Sequence, residues 1–186
     1  MRATSARSIS LAAILLLAIP TAAHAANSTP QQHCIAQAIA RGANEQPSVR
    51  CYRTFRAAIS AATKGRVDLR NATTSRAVSS QELAGDSPLT TYVLSIDYQN
   101  ANFGGSTFTW VQSSPCGYYQ TGSMPSGWND VVSSVADYSG CATTLYWNAN
   151  FGSPIYVIGV NASVANLGTF NDKTSSQKWC PVYPCS

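Results

Sequence analysis

Two short signatures each occur twice in the second half of this chain, in the same order. Tyr98-Gln99-Asn100-Ala101-Asn102-Phe103-Gly104-Gly105 returns as Tyr146-Trp147-Asn148-Ala149-Asn150-Phe151-Gly152-Ser153. Trp128-Asn129-Asp130-Val131-Val132-Ser133-Ser134 follows the first, and Phe170-Asn171-Asp172-Lys173-Thr174-Ser175-Ser176 follows the second. Chance is a poor source of two different signatures repeated in one order, so the stretch from about Tyr92 to Trp179 reads as two copies of one structural unit. In the first signature an aromatic residue ends a strand, a polar Asn-Ala-Asn bend follows, and a second aromatic with Gly behind it turns the chain back. The two rings are expected to stack over the bend, with Gly supplying a positive φ.

The surrounding sequence favours strands. Thr91 to Tyr98, Ser106 to Val111 and Ile155 to Val160 are rich in aromatic and β-branched residues, and Gly, Asn, Ser and Pro separate them. Short strands bounded by turn residues predict an all-β sandwich or barrel. The second signature places Asn, Asp and Ser oxygens within six residues, a mixed oxygen set of the kind that hard divalent cations prefer. The same residues also suit a plain turn whose side chains bond their own backbone.

The first half reads differently. Basic residues near Arg2 and Arg7, an apolar run from Leu11 to Ile19 and the small residues Ala23-His24-Ala25 predict a secretory signal peptide over 1–25. The apolar run is too short for a membrane span, so the mature chain is expected to be secreted, extracellular and monomeric. Phe55, Ala58, Ile59 and Ala62 fall at i, i+3, i+4 and i+7, which predicts a short amphipathic helix with Thr54 as N-cap and Gly65 as stop. Residues 26–70 thus read as a small disulfide-linked segment with one short helix. Residues 71–90, rich in Ser, Thr, Ala and Gly, read as a linker, and 91–186 as the β domain.

The mature part holds all six cysteines. An even count in an exported chain favours bridges, and loop-closure entropy favours near neighbours: Cys34 with Cys51, Cys116 with Cys141, and Cys180 with Cys185. Between Arg41 and Arg76 eight basic residues face only Glu45 and Asp68. No aromatic interleaving or nucleic-acid motif accompanies that charge, so it reads as a solvated surface, with an anionic cell surface as the other partner it would suit.

The order Tyr-x-x-x-x-Phe-x-Gly followed by Asn-Asp-x-x-Ser-Ser, twice over, resembles microbial, actinobacterial-type secreted βγ-crystallin domains, over about half the mature chain. The resemblance implies a double Greek-key β-sandwich in which two motifs exchange a strand and share two Ca2+ sites. Carried onto this sequence, one site would use the Val131 carbonyl, the Ser133 hydroxyl and the Trp147 carbonyl, with Asp130. The other would use the Lys173 carbonyl, the Ser175 hydroxyl and the Gln99 carbonyl, with Asp172. One carboxylate per site implies weak to moderate affinity, with calcium acting on stability. Two residues depart from the pattern: Ser153 stands where the family has Gly, and Lys173 places a cation beside a proposed site.

Proteins of this fold include secreted peptidase inhibitors and killer-toxin-like antimicrobial proteins, which gives an alternative function. An inhibitor would present a disulfide-braced loop to an extracellular protease. Ser113 to Tyr119 and the tail Cys180 to Cys185 are the candidates. An enzyme is not expected. The mature chain keeps one histidine, His33, near a free end. The acids Asp97, Asp130, Asp137 and Asp172 read as motif members or as isolated strand residues rather than a carboxylate pair.

Overall fold

The computed structural model describes residues 30–43, 45–70, 72, 75–84 and 90–185. The expected signal peptide lies outside them. Each copy of the repeat supplies four strands. The first gives β4 (Tyr92–Asn100), β5 (Gly104–Gln112), β6 (Tyr119–Thr121) and β7 (Ser134–Asp137). The second gives β8 (Ala142–Asn148), β9 (Gly152–Ile158), β10 (Ser163–Val164) and β11 (Ser176–Cys180).

The third strand of each copy crosses to the other. β10 pairs with β7 of the first copy, and β6 pairs with β11 of the second. Two sheets result, ordered β10-β7-β4-β5 and β6-β11-β8-β9 apart from the strands added at one side. This is a double Greek-key sandwich with exchanged strands, as the resemblance implied. Inward residues of both sheets, among them Phe108, Trp110, Val135, Leu145 and Trp179, form one core between them. Trp110 and Trp179 meet across the layer, with ring centroids 4.9 Å apart.

The N-terminal segment is built into this sandwich rather than standing apart from it. β1 (His33–Gln37) pairs in parallel with β5, β2 (Ile39–Ala40) pairs with β6, and β3 (Val49–Tyr52) pairs with β1. The arm therefore passes from one sheet to the other and covers the strand edges of β5 and β6 on that side, which would otherwise offer unpaired backbone groups. A Cys34–Cys51 bridge closes β1 on β3 at directly opposed positions. His33 is buried rather than terminal and loose, its Nδ1 3.0 Å from Thr107 Oγ1 and its ring against Phe55. Burial holds its pKa below the ordinary value.

Helix α1 (Phe55–Ala62) follows the predicted pattern. Phe55, Ala58, Ile59 and Ala62 are buried, Thr54 Oγ1 accepts the Ala57 N–H, and the chain leaves through left-handed Lys64 and Gly65. The helix packs on the outer face of the first sheet, with Phe55 and Ile59 against Ile96 and Tyr98.

The stretch read as a linker also lies on that face. Ala72, Ser75, Val78 and Leu83 are buried, and a short helix α2 (Ser80–Ala84) begins with a reciprocal pair between Ser79 and Glu82. Tyr98 and Tyr138 donate their hydroxyls to the carbonyls of Arg76 and Val78, at 3.0 and 2.8 Å. Small residues fastened through backbone carbonyls carry no apolar period, which is why composition alone reads them as a linker. Among the described residues no helix is long and apolar enough to cross a membrane.

Candidate functional site

The two bends are near copies of one another. Tyr98 meets Phe103 edge-on at 5.4 Å, and Tyr146 meets Phe151 edge-on at 5.4 Å. The left-handed residues are Asn102 with Phe103 and Asn150 with Phe151, not the glycine that follows each pair. Gly152 is needed for another reason: a Cβ there would stand 2.8 Å from Asn148 Cβ. Gly105 does have a positive φ, of 79°, whereas Ser153 at the matching position does not. The second bend therefore takes a different backbone at Ser153, and its carbonyl accepts Asn148 Nδ2 at 2.7 Å. Ser153 is thus accommodated without a left-handed backbone.

The Asp-containing loops face one another across the approximate twofold axis of the repeat. Asp130 and Asp172 are both left-handed, with φ of 56° and 54°. The Asp130 N–H donates to Thr174 O and the Asp172 N–H to Val132 O, each at 3.0 Å. Each carboxylate then turns to the other copy's serine. Ser133 Oγ donates toward Asp172 Oδ1 at 3.0 Å, and Ser175 Oγ toward Asp130 Oδ1 at 3.2 Å. The remaining carboxylate oxygens accept from Asn129 and Asn171 Nδ2, at 2.8 and 2.7 Å.

The grouping differs from the expected one. Ser133 was assigned with Trp147 and Ser175 with Gln99, but Ser133 Oγ lies 2.7 Å from Gln99 O, in its own copy, and the cross-copy member is Asp172. Strand register explains this. β7 pairs with β4 so that Ser134 opposes Tyr98, and β11 pairs with β8 so that Ser176 opposes Tyr146. Ser133 and Ser175 consequently hang beside their own bends, and their N–H groups donate to Tyr98 O and Tyr146 O at 2.9 Å each.

The donor set suits a hard cation. Ser133 has one hydroxyl proton and two acceptors within reach, Gln99 O and Asp172 Oδ1, so three oxygens converge on a single proton. The carbonyls of Val131 and Lys173 take no backbone hydrogen bond among the described residues. None of the ion pairs among those residues includes Asp130 or Asp172. No three His, Cys, Asp or Glu side chains gather among them either, so a metal here would depend on mixed carbonyl, hydroxyl and carboxylate oxygens.

Two stapled loops meet at the opposite concern of the fold, surface presentation. Cys116–Cys141 braces the loop from Ser113 to Tyr119, where Tyr118 is 51% exposed. Cys180–Cys185 closes the tail, where Val182 and Tyr183 are 55% and 63% exposed. β11 carries Trp179 opposite Tyr119 and Cys180 opposite Ala142, so the tail emerges beside the first loop. Ala142, Cys180 and Cys185 form a small buried cluster beneath it.

One constellation was not legible. Asp97 and Asp137, read as isolated strand acids, are both fully buried in the sandwich, on adjacent strands. Asp97 accepts from Trp110 Nε1 at 2.8 Å and Gln177 Nε2 at 3.1 Å, and Asp137 accepts from Thr143 Oγ1 at 2.7 Å. Burial pushes the Asp97 carboxyl up to about 7 and Asp137 well above its ordinary value. The inward register of both residues in the alternation of their two neighbouring strands was the available signal.

Comparison with known proteins gives three findings. A family model described as "Peptidase inhibitor family I36" matches residues 98–158, from the tyrosine that opens the first bend to the end of β9. No curated protein matches the chain. Among solved structures, a βγ-crystallin domain from Flavobacterium johnsoniae is 29% identical, covering 46% of this chain and 92% of that one, with a TM-score of 0.37. A βγ-crystallin from Ciona intestinalis is 23% identical, covering 45% of this chain and 94% of that one, with a TM-score of 0.36. A structure described as "Evolution of the eye lens beta-gamma-crystallin domain fold" is 23% identical over 52% of this chain and 93% of that one, with a TM-score of 0.40. With its exchanged third strands and paired aromatic bends, the chain is a double Greek-key β-sandwich.

Proposed function

We propose that this chain is an exported peptidase inhibitor, and the observation that carries this reading is the inhibitor-family match over residues 98–158. The architecture supports it. An inhibitor must hold a contact segment in one conformation so that little freedom is lost on binding. The tail is closed into a short ring by Cys180–Cys185 and presents Val182 and Tyr183, and the neighbouring loop presents Tyr118 behind Cys116–Cys141. Apolar and aromatic side chains on a braced support are the usual anchors of tight protein interfaces. The paired cysteines and the expected signal peptide agree with work outside the cell.

A panel of secreted peptidases, assayed with a macromolecular substrate, tests the reading. At least one is expected to be inhibited reversibly at nanomolar to micromolar protein. Tyr183→Ala and Tyr118→Ala should each weaken that inhibition by roughly tenfold or more, with the melting temperature unchanged. Absence of inhibition across serine, cysteine, aspartic and metallopeptidases would defeat the proposal.

A second reading, calcium binding at the paired loops, is favoured by the convergence of Gln99 O, Ser133 Oγ and Asp172 Oδ1. Ca2+ would be held by those groups together with Ser175, Asp130 and the carbonyls of Val131, Lys173 and Trp147, and it would neutralise crowded acceptors and fasten the two copies to each other. Millimolar calcium added to chelator-treated protein should raise the melting temperature, since saturation to 100 times Kd stabilises the folded state by about 2.7 kcal/mol. Ser133→Arg combined with Ser175→Arg should remove the shift. An unchanged wild-type melting curve at millimolar calcium rules this reading out and leaves the inhibitor reading intact.

A further inference from the structure

We propose that the cavity beyond the C-terminal end of α1 binds a small amphipathic carboxylate, an organic acid with an apolar body, whose charge is met by Arg50 and Lys64. The site is separate from the Asp-containing loops and from the stapled loops, and it rests on neither reading of them.

The fold divides the basic run between Arg41 and Arg76. Arg56 and Arg70 pair with Asp68, Arg76 pairs with Glu82, and Arg66 donates to the carbonyls of Thr63 and Thr91. Arg50 and Lys64 enter none of the ion pairs among the described residues. Both line one cavity of about 360 Å3, within the range of small-ligand sites. Strand register and the end of the helix put them there. Arg50 opposes Ile35 across β3 and β1, and Gln37 opposes Val111 across β1 and β5, so these side chains share the outer face of the first sheet. Helix α1 covers that face as far as Ala62, and Lys64 lies just past its end.

The lining selects the ligand. Among the described residues no acid faces the cavity, so its two cations stand uncompensated and favour an anion over a cation or a zwitterion. The end of α1 opposes an anion only weakly, because the carbonyls of Ile59, Ser60 and Ala61 already accept the N–H groups of Thr63, Gly65 and Lys64. Ile35, Ala61 and Val111 supply an apolar wall, which suits hydrocarbon of roughly six to ten carbons rather than an inorganic ion. The wall also holds Thr91, 9% exposed, whose Oγ1 is buried without a hydrogen-bond partner. Buried hydroxyls are normally paired, and a carboxylate oxygen would be the missing acceptor.

Calorimetric titration of the mature protein with sodium octanoate, in the presence of chelator, tests the proposal. One equivalent is expected to bind in the micromolar to millimolar range, octylammonium is expected not to bind, and the octanoate affinity should fall as salt is raised. Arg50→Gln and Lys64→Gln should each weaken binding by roughly threefold to tenfold. Ala61→Phe fills the apolar side of the cavity without touching a charge and should abolish binding, with the melting curve showing that the variant is folded. Arg53→Gln alters an exposed arginine outside the cavity and should change nothing. No heat with millimolar octanoate, equal binding of octylammonium, or an affinity that both glutamine variants at Arg50 and Lys64 leave unaltered overturns the proposal. A loss in Arg53→Gln equal to that in Arg50→Gln would reveal general attraction to a basic surface and overturns it too. So does inorganic phosphate bound as tightly as octanoate, since the apolar wall would then have no part.

Discussion

Between about pH 4 and pH 8 the folded protein is expected to lose stability as pH rises, by roughly 4 kcal/mol from Asp97 alone. The unfolded carboxyl titrates near its ordinary value of 3.8, and burial between the sheets raises the folded one to about 7. Within that window the native state holds a proton that the unfolded state has released, so stability falls with pH and levels off above the folded value. Asp137, also raised by burial, acts in the same direction. His33 opposes both. Its pKa is lowered from 6.5, so its contribution is lost as pH falls below that value. Glu82, lowered from 4.5 to about 2 chiefly by its bond to Arg76, loses its contribution as pH falls from about 4.5 towards 2, at the acid edge of the window and below it.

Denaturant unfolding at a series of pH values measures this slope, and Asp97→Asn isolates its source. The amide is isosteric, and Gln177 Oε1, which has no partner now, is free to accept from it if the Gln177 amide turns over. The variant should show a much flatter profile than wild type between pH 4 and 8. Equal slopes in the two proteins would show that Asp97 is not the titrating group.

The second large effect is expected from Trp179→Ala, which should cost about 3–5 kcal/mol. Trp179 is 1% exposed, stacks on Trp110 at 4.9 Å and donates Nε1 to Ser95 Oγ at 2.9 Å. It projects from the second sheet onto residues of the first. Truncation opens a void between the layers and strips Ser95 of its donor, so cavity and desolvation penalties add. Trp179→Phe should recover most of the packing and leave a loss of about 1–2 kcal/mol for the missing hydrogen bond. A Trp179→Ala loss below about 1 kcal/mol, measured by urea unfolding, would mean that the layers close over the gap.

How much of this was readable beforehand follows from which signals are local. The Tyr98 and Tyr146 bends, helix α1 with its Thr54 cap and the near-neighbour disulfides depend on residues close together in the chain, and each is found as expected. The duplication showed two copies of one unit, and the exchange of strands between them came from the resemblance that the repeated signatures carry. The partners of Ser133 and Ser175 depended instead on strand register, and the resemblance assigned them across the copies when register keeps Ser133 beside Gln99. The parallel pairing of β1 with β5 left no mark in composition, since His33 to Gln37 is an ordinary short run. Asp97 with Asp137 was hidden for a physical reason: a carboxylate in a strand is normally read as solvent-facing, and here neutralisation makes burial tolerable.

The crossing of β6 and β10 between the copies also governs how the molecule comes apart. A sandwich of two self-contained halves would melt like beads on a string, each losing its structure separately. Here each half lacks an edge until its twin provides it, so heat should find a single cooperative transition. A protease nick between β7 and β8 should leave the fragments interlocked.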